Sequence, residues 1–513
     1  MAEPRSPIST TQLLLFFPRG GSAQVIRYLA AALDHHQVEC QVISGSLGEP
    51  ESATHAQRFF RDLDVLPIDY TPAHEVFRSG GDPLREPVPM HPSYEDRPEV
   101  ADRAFVSIDP DTAHWMESRW EQILQSRVTR VPDVFHIHHL SPIQPAVQSL
   151  WPDVPKIGHI HGTELKMLTR IRARRALLHA CGLTFDRDPA DIEATIAREW
   201  ESLTSDQQRI ATSTRWPYWR WSDFWEKRLI EYAAMCDRLI VLTESARDQT
   251  VELLDYDPAR IQPVPNGVDT DHFTPDRLTA SQRLERWKHW LVDRPRGWDE
   301  SGEPGSIRYT QTEVDEWFVD AAGEQTPVLF FVGRFTSMKR VPMLIRAYQD
   351  ARPHFHWKAP LVIWGGNPGE WEGEHPYTVA SEGNTDGIFF VGWRGHSELP
   401  AGLNASDVMV APSRNEPFGQ VYLEAMACQL PVIATDSGGP PTFINRNPDS
   451  PDGWMIPPDD QEALTRTLIE VVNNPDERRR RGKQALETVR SEYSWAQVAG
   501  TVRALYDDLL RDR

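Results

Sequence analysis

Cysteine is scarce in this chain. Cys40, Cys181, Cys236 and Cys428 are the only four in 513 residues and form no C-x-x-C pair, which excludes a disulfide framework or a thiolate metal knuckle and suits a reducing cytoplasm. Long apolar runs are missing as well. The first, 13–17, is too short for a signal-peptide core, and none approaches the ~20 residues of a membrane span. No transmembrane segment is expected, which leaves only peripheral contact with a membrane open. Positive charge is in deficit: 54 Lys plus Arg against 75 Asp plus Glu give a net charge of −21, which repels polyanions and makes nucleic acid an unexpected partner. No G-x-G-x-x-G follows the first apolar run, where Gly20-Gly21 stands instead, so a nicotinamide dehydrogenase lacks its fingerprint.

What is present is packing material, 40% hydrophobic and 10% aromatic residues with 18 Trp, enough for two or three folded domains. Short apolar runs at 13–17, 40–43, 134–137, 156–160 and 238–242 alternate with helical patterns, the first over 22–33. A second series follows at 328–332, 361–364, 388–391, 408–411 and 432–434. This is the β-α-β rhythm of an α/β protein with two doubly wound parallel-sheet domains. The expected organisation is 1–270, a linker or insertion over 271–326 rich in charge, Pro and Gly, a second domain over 327–494, and a last helix over 495–513 open to crossing back to the first. Residues 75–100 read as a long loop, and 165–230 as a helical insertion ending in Trp216, Trp219, Trp221 and Trp225, which either packs a subdomain or lines a binding surface. The run Arg478-Arg479-Arg480-Arg481 follows two acids on a helical pattern and reads as a solvated face.

Two segments carry chemistry. After the run 408–411 the chain reads Pro412-Ser-Arg-Asn-Glu416-Pro417-Phe418-Gly419-Gln420, and a helix with Pro417 at its first position is expected to put Glu416 at the helix mouth. Glu424, eight positions on, would then lie roughly 12 Å along the axis, about the span from sugar to ribose in a nucleotide-sugar. Unpaired N–H groups of the first turn favour an anion between them. After 328–332 comes Gly333-Arg334, with Lys339 five positions on, at the carboxyl end of a parallel strand, where two cations can neutralise a leaving diphosphate. Alone, each glutamate would read as a helix cap or exposed carboxylate and each base as a surface cation.

Together these residues resemble glycosyltransferase family four, a retaining family with the GT-B architecture of two Rossmann-like domains facing a central cleft. The resemblance rests on Gly333-Arg334 with Lys339, on Glu416 and Glu424 within Glu-Pro-Phe-Gly, and on the following Ala434-Thr-Asp-Ser-Gly-Gly439. Pro18-Arg19-Gly20-Gly21-Ser22, His159-Ile-His161-Gly-Thr-Glu164 and Val264-Pro-Asn-Gly-Val-Asp269 extend it to both domains. It implies a nucleotide diphosphate sugar as co-substrate, a uridine donor being the commonest, and transfer to a small-molecule or glycan hydroxyl without a metal or other cofactor. Arg334 and Lys339 would bind the diphosphate and Glu424 the ribose. Glu416 and the backbone of Phe418, Gly419 and Gln420 would hold the transferred sugar. Gly20 and Gly21 would let the first loop approach the diphosphate, and His161 would face the sugar from the first domain. A GT-B epimerase or hydrolase, and a non-catalytic nucleotide-sugar-binding subunit, are the alternatives.

Two further patterns receive structural readings. His136 and His138, and His159 and His161, each share a strand face at period two, but no carboxylate triad or Cys joins them, so no metal site is expected and backbone partners suffice for them. Asp109-Pro-Asp111 has a D-x-D form that an acidic chain produces by accident.

Overall fold

The computed structural model describes residues 7–18, 20–97 and 100–511, so Arg19 of the Pro18–Ser22 motif and the extreme ends of the two outer ranges lie outside the described residues. The chain divides into two compact units, Met1–Pro265 with Val498–Arg513, and Asn266–Gln497. Both are α/β.

The first unit holds a parallel sheet of β1 (Ile8–Leu14), β2 (Val38–Ser46), β3 (Asp64–Asp69), β4 (Val134–His138), β5 (Lys156–His159), β6 (Arg238–Val241) and β7 (Ile261–Pro263), in the order β3-β2-β1-β4-β5-β6-β7. The second holds β8 (Leu329–Gly333), β9 (Leu361–Gly365), β10 (Ile388–Gly392), β11 (Val408–Ala411), β12 (Val432–Thr435) and β13 (Gly453–Ile456), in the order β10-β9-β8-β11-β12-β13. In the second sheet the central strands β8 and β11 are near-continuous apolar runs, as a parallel sheet buried on both faces requires, whereas β1 and β4 of the first also bury Thr10, Gln12, His136 and His138. Helix Gly21–Asp34, for example, buries Val25, Ile26, Leu29 and Leu33 at helical spacing. Strand order reverses between β1 and β4 in one unit and between β8 and β11 in the other, the switch points outside whose carboxyl ends sheets of this kind place ligands.

Several expectations are corrected. The strand at 13–17 is Ile8–Leu14 instead; polar Thr10 and Gln12 are fully buried in it, which an apolar-run criterion misses. The segment 271–326 is no linker but part of the second unit. Its helices Ala280–Lys288 and Gln311–Phe318 accompany buried Trp287, Trp290 and Trp298, and Arg283 Nε donates to the Ala405 carbonyl at 2.6 Å while its guanidinium pairs with Asp407. Three Trp outweigh the charged composition. The boundary falls at 265, because Val268 N donates to Tyr493 O and Gly267 abuts Trp495. Helix Trp495–Arg511 joins the first unit from Val498 onward.

The insertion folds as helices Thr163–Ala180, Pro189–Arg198, Ser205–Thr212 and Ser222–Ala234. Trp216, Trp219 and Trp225 are buried; the Arg174 guanidinium lies 3.7 Å over the Trp219 ring and Trp225 Nε1 donates to Ile108 O at 2.8 Å. Packing therefore accounts for these three rings. Arg478 is not solvated but buried, donating to the carbonyls of Val471 and Val472 at the end of the preceding helix, whereas Arg480 and Arg481 pair with Glu477. Asp109 caps helix Pro110–Arg127, accepting from Thr112 N at 2.9 Å and Thr112 Oγ1 at 2.7 Å, bonds that hold its carboxyl below the usual range despite partial desolvation. Among the described residues no helix is long and apolar enough to cross a membrane.

Candidate functional site

In the second unit, the loops after adjacent β8 and β11 meet. The first makes a single turn over Ser337–Lys339, and the second bends at Arg414 and at Asn415, whose φ is +52°, before reaching Glu416. Arg414 N donates to Met338 O at 2.8 Å and joins them. Lys339 Nζ then donates to Glu416 Oε2 at 2.5 Å, with side-chain exposures of only 15% and 11%. A charge-assisted bond so sheltered is stronger than its surface counterpart and fixes both groups. Glu416 is held from behind as well: its backbone pairs with Gly438, and Gly439 N donates to Glu416 O at 2.7 Å. A Cβ on Gly438, whose φ is +73°, would stand 2.3 Å from Glu416 O, so the Ser-Gly-Gly turn is what lets the loop lie this close.

The helix after Glu416 is Gln420–Ala427, not one starting at Pro417. Gly419 is left-handed (φ +92°), so the right-handed helix cannot begin before Gln420. Only four residue steps to Glu424 follow the helical rise, about 6 Å, and the axial argument from Glu416 does not hold. What survives is a helix start beside Glu416, with Phe418 buried beneath it and Gln420 Nε2 donating to Gly267 O at 2.7 Å. Tyr422 OH donates to Ala411 O at 2.6 Å and ties the helix to β11; burial, and then Glu416, push its phenol pKa well up.

Glu424, 8% exposed, meets His396 Nε2 at 3.2 Å. His396 belongs to the loop after β10 and stacks on His272 with ring centroids 5.7 Å apart. The sequence pattern missed it; an isolated histidine far along the chain offers no spacing signal. Arg334 is two-thirds exposed and stands 3.8 Å from Glu370. The structure thus joins Lys339 to Glu416 directly and gives Arg334 and Glu424 partners of their own.

In the first unit, Gly20 caps helix Gly21–Asp34 after β1, and a Cβ at Gly20 or Gly21 meets no protein atom within 4 Å. Protein packing therefore does not require either glycine. His161 follows β5 and lies against His138, Nε2 to Nδ1 2.9 Å. Here the expectation of backbone partners fails. His136, His138, His159 and His161 stack with centroids 4.4–5.3 Å apart and bond through their rings to one another, to Gln12 and to Tyr506. His139 Nδ1 pairs with buried Glu164 at 2.7 Å. Desolvation drives the pKa of His136 down to about 3 and those of His138, His159 and His161 well below the usual value, with neighbouring imidazoles adding to it for the last three. Nitrogens of His136, His138 and His159 lie within 4.8 Å of one another, yet a cation there would have to break the 3.1 Å His136–His159 bond and sit buried with no carboxylate among the three.

Two family models match the chain, Glycosyltransferase Family 4 over residues 19–272 and Glycosyl transferases group 1 over 315–488. The chain belongs to glycosyltransferase family 4. Among curated members, it is 29% identical over 291 residues to the D-inositol 3-phosphate glycosyltransferase of Stackebrandtia nassauensis, covering 55% of this chain and 56% of that one. It is 30% identical over 251 residues to the enzyme of the same name from Salinispora arenicola, covering 47% and 48%. The chain thus spans about half the length of the curated relatives it matches. Among solved structures, a glycosyltransferase from Rickettsia africae superposes with a TM-score of 0.60 at 15% identity, covering 99% of this chain and all of that one. Anabaena HepE in complex with UDP gives 0.57 at 11%, covering 98% and 100%. These likenesses establish the GT-B fold of this family 4 chain, two Rossmann-like parallel-sheet domains.

Proposed function

We propose that this family 4 chain transfers a sugar from a nucleoside diphosphate sugar to a hydroxyl acceptor with retention at the anomeric carbon, the donor lying on the second unit. The observation that carries this is the sheltered Lys339–Glu416 pair at the carboxyl ends of adjacent β8 and β11, beside the start of helix Gln420–Ala427. The helix N–H groups with Lys339 and exposed Arg334 take up the charge that grows on the departing diphosphate. Glu416, freed in part as Lys339 turns to phosphate, accepts hydrogen bonds from the sugar, and Glu424 exchanges His396 for the ribose hydroxyls. Gly20 and Gly21, open to solvent space, admit the diphosphate, and His161 hydrogen-bonds a substrate hydroxyl. The bond from anomeric carbon to diphosphate oxygen breaks, the acceptor oxygen bonds on the same face, and the acceptor proton leaves with the diphosphate.

Uridine donors come first for testing, since HepE was solved with UDP, and inositol phosphates come first among acceptors because the curated relatives carry that acceptor in their name. The purified chain incubated with donor and an acceptor panel is expected to give a glycosylated product of retained configuration by mass spectrometry and NMR, with turnover unchanged in excess EDTA. Rapid consumption of donor without any acceptor would instead favour an epimerase or hydrolase, and donor binding with no transfer across the panel a non-catalytic subunit.

A further inference from the structure

The histidines at the ends of β4 and β5 hold more structure than a substrate-facing His161 requires. Gln12 of β1 uses both ends of its amide: its Oε1 accepts from His138 Nε2 at 2.9 Å, and its Nε2 donates to Tyr506 OH at 3.1 Å. An amide oxygen only accepts, so His138 carries its hydrogen on Nε2 and its Nδ1 is bare. That bare nitrogen, 2.9 Å from His161 Nε2, accepts a hydrogen from it. On the other side, the Tyr506 oxygen accepts from Gln12, and its own hydrogen goes to His136 Nδ1, 2.7 Å away. His136 is then protonated on Nε2 and donates to His159 Nδ1 at 3.1 Å. The chain ends at His159 Nε2, which is buried with no partner. Every donor points one way, and the amide of Gln12 sets that polarity: turned over, it would reverse each bond.

We propose that Gln12 and Tyr506 are positioning residues that hold His161 in one tautomer, Nε2–H with a bare Nδ1, through the chain His161–His138–Gln12–Tyr506–His136–His159. His161 is partly exposed, whereas the other five members are buried. A bare Nδ1 there offers substrate a fixed acceptor in place of a ring that is acceptor in one tautomer and donor in the other. Burial keeps the rings neutral, so one hydrogen per imidazole suffices for the count. Tyr506 lies on the last helix of the chain, within the part that belongs to the first unit, so this helix is bonded to His136, 370 positions earlier. The inference rests on the reading of His161 as substrate-facing.

The test is ring-nitrogen NMR of the full chain labelled with 15N-histidine, His161 being assigned by its loss in His161→Asn. Wild type is expected to show His161 with Nε2 protonated and Nδ1 bare. Gln12→Met and Tyr506→Phe, each checked for folding by circular dichroism, are expected to give averaged shifts at both nitrogens, with kcat lowered about tenfold and donor KM within about twofold. Tyr506→Phe removes a single oxygen and serves where Gln12→Met fails to fold. A mixed or Nδ1–H tautomer in wild type, or an unchanged tautomer in the folded variants, overturns the proposal. A shifted tautomer with full turnover leaves the chain standing and removes the substrate-facing role of His161 instead.

Discussion

Lys339 and Glu416 are 77 positions apart and hold each other in a sheltered spot, so substituting either has two consequences that must be separated. One is an uncompensated charge left behind, which lowers stability. The other is loss of stabilisation where diphosphate charge develops, for which a single donor contributes about 10²–10³ in rate. Lys339→Ala and Glu416→Gln are therefore expected to lower kcat/KM by about that factor in protein whose circular dichroism at assay temperature is native. Full turnover in either would remove the pair from the site. Glu424→Ala is expected to weaken donor affinity about tenfold by calorimetry, the worth of one hydrogen-bonded carboxylate, with kcat much less affected; an unchanged affinity counts against the ribose role. At this scale residue types were legible and partners were not. Bases and acids at two strand ends announce an anion site, but which carboxylate Lys339 chooses depends on the strand order β8-β11, and His396 beside Glu424 has no signal in the chain.

Strands that are apolar runs were legible, the edge strand β10 included, whereas polar β1 was misplaced and three strands at the rims were missed. β3 contains a half-buried Pro67, β7 is three residues ending in Pro263, and β13 opens on Gly453; all three are edge strands, which tolerate Pro and polar residues that a buried strand does not. The start of the helix after Glu416 was misplaced for a related reason, because Pro417 suits a first helical turn and only the left-handed Gly419 shows that the turn comes later. That glycine makes a sharp prediction. A Cβ there would sit 2.5 Å from the Tyr422 ring and 3.1 Å from Glu416 Cγ, in a backbone conformation costing an L-residue about 1–2 kcal/mol. Gly419→Ala is expected to lower the melting temperature by several degrees and to weaken donor binding by displacing Glu416. Gly20→Ala, which meets no protein atom, is expected to leave the melting temperature unchanged; equal thermal losses in the two variants would refute the distinction.

On the scale of the whole molecule, composition foretold two α/β units, while the allotment of 271–326 to the second and of Val498 onward to the first depended on contacts no composition records. A net charge of −21 also hides where titration matters most, because the groups that govern acid stability are not the exposed carboxylates alone. His136, His138, His159 and His161 are kept neutral by burial among Gln12, Tyr506, His139 and the His139–Glu164 pair. A histidine whose folded pKa is depressed takes up a proton more readily when unfolded, so its contribution is intact above the unfolded pKa near 6.5 and is lost as pH falls toward the folded value. For His136, with a folded value of about 3, the loss between pH 7.5 and 5 amounts to about 2 kcal/mol, and the other three act in the same direction. Urea unfolding followed by a probe in the first unit is thus expected to show a steep loss of stability from pH 7.5 to 5. His136→Asn, which cannot titrate, should start lower at pH 7.5 and lose about 2 kcal/mol less over the same interval. An identical pH slope in the two proteins would mean that His136 is already protonated in the fold at pH 5, and the buried neutral ladder would have to be abandoned.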